Sequence, residues 1–184
     1  MAVEDLQGKP LPFVSIEQNQ LREQVELYYL WITLLAYSGN SLTKIISPLL
    51  AKKFGVQNQA GFYEKGKKGD DCAVYVFGKV LDEPWGGRHF LRGSLILPLY
   101  HGTQDFLQRR GYVPVEKPES GDLVVYGRGE ETQPLVVAKH FGVFRSDEWI
   151  TSKFGAGPVF RHRVQAIPKV FGNMAVFFHK TKQG

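Results

Sequence analysis

LVVAKHFGVFRSDEWITSKFGAGPVFRHRV, residues 135 to 164, decides the fold class. Its apolar and β-branched residues come in short runs, LVVAKHFGVFRS, EWITSKFG and PVFRHRV, parted by turn residues. Runs of that length and composition read as strands. DLVVYG upstream and AVFFHK downstream extend the series to both sides.

The chain before this region is different. Residues 1 to 15 read as an irregular arm carrying Pro10 and Pro12. From Ile16, EQNQLREQVELYYLWITLLAYSG has no internal Gly or Pro before its stop at Gly39, which predicts a long helix. Ser41 then caps LTKIISPLLAKKFG, a second helical stretch bent or interrupted at Pro48 and stopped at Gly55. Residues 56 to 71 are polar and Gly-rich and read as a loop. Cys72 to Leu81 has apolar or small residues at 73, 74, 76, 77, 80 and 81, the pattern of a buried helix, with Asp70 or Asp71 at its cap. Thr103 to Arg110 reads as another helix, ended by Gly111. Helices first and strands afterwards predict an α+β fold, N-terminal helices followed by an antiparallel β-sheet. Residues 1–60 are expected to form an arm and helical segment packed on a core of residues 61–184, the two making one unit.

Composition narrows the function classes. With 184 residues, 43% hydrophobic and 13% aromatic, the chain has material for a packed core. One cysteine forms no internal disulfide, so no oxidising compartment is required. The net charge of +5 is spread over Lys65, Lys67, Lys68, Arg109, Arg110, Arg161 and Arg163 among others, which argues against a nucleic-acid groove. MAVEDLQGKPLPF lacks the pattern of a signal peptide, and the most apolar stretch, Leu27 to Tyr37, is too short to span a bilayer. A cytoplasmic protein with no membrane partner is therefore expected. If part of the helix carrying Tyr28, Tyr29, Trp31 and Tyr37 faces outward, a homo-oligomer contact belongs there.

GDDCAVYVFGKVL, residues 69 to 81, holds the lone Cys72 at a helix start. The positive end of a helix favours thiolate, whereas Asp70 and Asp71 oppose it. A nucleophilic Cys72 therefore needs an imidazole, and His140, with Gly142 leaving room beside it, is the best candidate. Thr151 or Ser152, on the following strand, would orient the ring. The bland alternative for Cys72 is a small buried hydrophobe, and for His140 a strand histidine with a satisfied ring. His162, between Arg161 and Arg163, reads better as structural than as a base. Ser152-Lys153 lacks the S-x-x-K spacing of a Ser–Lys pair. No metal-ligand cluster, P-loop or dinucleotide fingerprint stands out, so neither metal nor cofactor is expected.

Cys72 followed by GDLV (Gly121 to Val124) and HFGVF (His140 to Phe144) resembles the motif order of NlpC-type, papain-fold cysteine peptidases. More closely, Cys72, Tyr75 and Gly78, then FLQRRGY (Phe106 to Tyr112), WITSKFG (Trp149 to Gly155) and His162 resemble an uncharacterised bacterial papain-fold family. The likeness covers roughly residues 70 to 172, with Asp71 where that family has asparagine. It implies a papain-like fold and a cysteine hydrolase or transferase acting on an amide, peptide or acyl bond. In that role Cys72 attacks the carbonyl, His140 moves the proton and Thr151 or Ser152 orients the ring. Asp71, Tyr63 and Gln59 would meet the substrate, a peptide- or amide-containing molecule. The papain-type oxyanion glutamine is missing and Thr151 is a weak third member. Both departures suit a second reading, a catalytically inactive papain-fold domain that binds a peptide or protein partner.

Overall fold

The computed structural model describes residues 12–17, 19–37, 42–65, 72–81, 107–130, 133–155 and 157–181, and the structural statements below concern these. Ser41, Asp70, Asp71, His89, His101 and the first half of the helix expected from Thr103 lie outside them.

Eight strands form one sheet: β1 (Val14–Ser15), β2 (Ala60–Glu64), β3 (Tyr112–Val115), β4 (Leu123–Glu130), β5 (Gln133–Phe144), β6 (Trp149–Lys153), β7 (Val159–Arg163) and β8 (Met174–Lys180). Their order is β1-β8-β4-β5-β6-β7-β2, with β3 also on β8, and every pairing is antiparallel. The α+β class and the antiparallel sheet expected from the sequence are thus present. Two expectations are corrected. Part of the stretch read as a loop, residues 56 to 71, is edge strand β2, and the arm contributes β1. β2 escapes detection because AGFYE has only three apolar side chains besides a glycine, and its pairing with β7 supplies the order its own pattern lacks.

The two faces of the sheet carry different layers. Helix α1 (Gln20–Tyr37) and helix α2 (Thr43–Lys53) cover one face, packing Val25, Tyr28, Tyr29, Ile32 and Ala51 on Ala60 and Phe160 of the sheet. Tyr29 lies 4.4 Å from Phe154 and 4.3 Å from Phe160 between ring centroids, edge-on to both. Its hydroxyl donates to the Ala166 carbonyl at 2.9 Å. The buried Arg22 donates to the carbonyls of Ile167, Pro168 and Gly172 at 3.0, 2.9 and 2.7 Å, tying α1 to the turn before β8. Pro48 sits inside α2 without ending it, at an exposed position.

The opposite face is covered by the cysteine's helix, α3 (Val74–Val80), preceded by helical Cys72 and Ala73. It is wound as a π-helix, and the Leu81 amide reaches back five residues to the Val76 carbonyl at 2.9 Å. Tyr75, Val76 and Phe77 pack there on Leu123, Val125, Phe141, Val143, Val176 and Phe178. A helix begins where expected at Cys72, in a wider winding than the sequence pattern specifies.

Candidate functional site

Antiparallel partners share a face and successive residues alternate, so register assigns each site residue a side. Phe141 pairs with Val125 and Val143 with Thr151, and these belong to the α3 face. His140 pairs with Tyr126, and Tyr126 with Ala175, on the α1 face. Cys72 packs against the cluster on the α3 face. The sheet therefore stands between Cys72 and His140, and the expected thiol–imidazole pair is not brought together.

A bulge accompanies this placement. Tyr126 pairs with His140 but Gly127 with Ala138, so Lys139 is an extra residue in β5. The bulge turns Ala138 towards the α3 layer, while His140 stays among the aromatic rings behind the sheet. His140 is fully buried, stacked 4.1 Å from Phe171 between centroids and edge-on to Phe154 at 5.0 Å. Neither ring nitrogen has a hydrogen-bond partner. Burial first, then the neighbouring His162, holds its pKa well below the usual imidazole value, so the ring is neutral.

Ser152 and Thr151, the two candidates for the third group, part company. Ser152 faces the α1 side and is bonded to Nε2 of His162 at 2.7 Å, not to His140. His162 Nδ1 lies 3.0 Å from the Arg163 carbonyl, which accepts only, so Nδ1 carries the proton and Nε2 accepts from the Ser152 hydroxyl. Burial depresses the His162 pKa to about 4. With both partners fully buried, this Ser–His bond closes a core polar pair, in keeping with the structural reading of His162. Lys153, also buried, donates to the carbonyls of Gly155 and Gly157 at 2.9 and 2.7 Å, and so holds the β6–β7 turn.

Thr151 lies on the α3 face. Its hydroxyl accepts from Arg145 Nε at 3.2 Å and lies near the Tyr75 hydroxyl, whose pKa it works to lower. Burial raises the Tyr75 pKa, with the Glu64 charge adding to it and Arg145 opposing. Tyr63 alternates onto this face, 52% exposed, and is an electrostatic neighbour of Tyr75. Gln59 sits in the turn before β2, where its carbonyl accepts from the Arg163 amide at 2.8 Å. Asp71 lies outside the described residues.

One group was not foreseen. Trp149, Arg161 and Arg163 share the α3 face, and both guanidinium carbons lie 4.5 Å from the Trp149 ring centroid. Arg163 is shared with Glu148 at 3.4 Å and with the Asp147 carbonyl, whereas exposed Arg161 meets no carboxylate among the described residues. The R-x-R spacing puts both arginines on one strand face, but only the β6–β7 register brings Trp149 beneath them. Together with Arg145 and Tyr63 they make an aromatic surface beside α3 on which three arginines outnumber the acids Glu64 and Glu148. No described group of three or more His, Cys, Asp or Glu is placed to hold a metal ion. No family model, curated protein or solved structure matches the chain.

Proposed function

We propose that this chain is a papain-like domain that binds a peptide or protein partner through carboxylates, without hydrolysis by a Cys72–His140 pair. The order of its parts supports the papain-like reading: a helix headed by Cys72 packs on a sheet whose strands carry GDLV, HFGVF and WITSK in sequence. The observation that carries the binding reading is the opposition of Cys72 and His140 across that sheet. A general base must come within hydrogen-bond reach of its proton, and a neutral imidazole enclosed by Phe154 and Phe171 on the far face has no route to the thiol.

The Arg161–Trp149–Arg163 group, with Arg145 and Tyr63, supplies the contact surface. Arg, Trp and Tyr dominate binding energy at protein interfaces, and a guanidinium takes a carboxylate through two parallel bonds. Titration of the protein with fluorescent peptide pools, acidic and basic, tests the proposal. Acidic peptides are expected to bind, and Arg161→Ala with Arg145→Ala to weaken them about tenfold or more. Equal binding of both pools, or turnover of a peptide or ester substrate that Cys72→Ala abolishes, would overturn it.

A further inference from the structure

We infer that the outer face of the α1–α2 hairpin seats on an anionic lipid surface. On α1 the residues Leu27, Leu30, Trp31, Leu34 and Tyr37 are 48 to 59% exposed. They form one stripe directly opposite the buried stripe of Val25, Tyr28, Tyr29, Ile32 and Ala36. Leu42, at the cap of α2, and Ile45 and Leu49 within it are 48 to 65% exposed. A helix that is apolar all round is normally covered on every side. Eight large apolar side chains about half exposed amount to several hundred Å² or more, beyond the scattered apolar atoms of an ordinary surface.

Charge chooses the occupant. From Leu27 to Tyr63 the sequence has no Asp or Glu, and its three charged residues are Lys44, Lys52 and Lys53. All three are exposed, and at 3.6 residues per turn Lys52 and Lys53 fall on the stripe of Ile45 and Leu49. The two acids of α1 are both engaged by Lys169: Glu23, one turn before Leu27, pairs with its Nζ at 3.0 Å, and Glu26 accepts from its amide. A second copy of the same face would bring lysine against lysine. An anionic membrane accepts the lysines at its headgroups, Trp31 and Tyr37 at the interface and the leucines below it. No described helix is long and apolar enough to cross a membrane, so the hairpin lies along the surface.

Flotation with vesicles of phosphatidylcholine, with and without phosphatidylglycerol, tests this, alongside sedimentation equilibrium of the free protein. The protein is expected to be monomeric and to float with the phosphatidylglycerol vesicles. Lys52→Glu/Lys53→Glu is expected to lower that partitioning by about tenfold or more. Leu34→Glu/Ile45→Glu, at exposed positions that leave thermal unfolding intact, should abolish it. A dimer that Leu34→Glu/Ile45→Glu dissociates, or a monomer that floats with neither vesicle, would overturn the inference.

Discussion

His162 and His140 give the protein a definite acid response. Both are buried and neutral, with pKa values held below that of the unfolded chain, His162 at about 4. Between pH 6.5 and 4 the unfolded state takes up a proton that folded His162 refuses, so stability falls as pH falls through that window. His162 alone accounts for roughly 3 kcal/mol across it, and His140 adds loss in the same direction. Urea unfolding at a series of pH values is expected to show this decline, and His162→Gln to flatten it. Glycine is also required at two points. A Cβ on Gly142 would stand 2.7 Å from Ile150 Cγ2, and one on Gly172, at φ +113°, would collide with the Gly127 carbonyl. Gly172→Ala is therefore expected to cost about 3 kcal/mol, read as a lowered urea midpoint. At Arg22, replacement by Met leaves three carbonyls without their donor, with an expected loss of about 2–4 kcal/mol.

The strands of the C-terminal half were legible because each is a short β-rich run closed by turn residues. PVFRHRV, with Phe160 and His162 inward and Arg161 outward, alternates as a half-buried strand should. What the pattern did not carry was pairing. The side of the sheet on which His140 lies depends on its register with Tyr126, and that of Ala138 on the Lys139 bulge, neither of which periodicity specifies. Edge strand β2 was hidden for the same reason. Its exposed side is guarded by the helical hairpin: the Phe62 amide donates to the Tyr28 hydroxyl at 2.9 Å, and that hydroxyl bonds Ser47 at 2.6 Å. The same amide also reaches Ser47 Oγ at 3.3 Å, so Tyr28→Phe removes the shorter of two bonds, with an expected cost of about 1 kcal/mol and faster hydrogen exchange at Phe62. Exchange at Phe62 unchanged from wild type would show that the edge is protected by other means.

Across the whole molecule, one sheet separates two chemically distinct layers. Behind it are the α1–α2 hairpin, the aromatic rings and the neutral histidines; in front are α3 with Cys72, Thr151 and the Arg–Trp surface. Motif order along the chain pointed to Cys72 and His140 with Thr151 or Ser152, and the fold keeps Cys72 and Thr151 on one side, His140 and Ser152 on the other. Proximity in a motif list carries no information about facing: plain alternation from His140 to Val143, the partner of Thr151, puts those two candidates on opposite sides. The central claim is that Cys72 and His140 do not communicate. It is tested most directly by NMR titration of the His140 ring before and after alkylation of Cys72 with iodoacetamide. The expected result is an imidazole that stays neutral well below the usual imidazole range and whose shifts are unaltered by alkylation. A His140 titration that moves when Cys72 is capped would contradict the account.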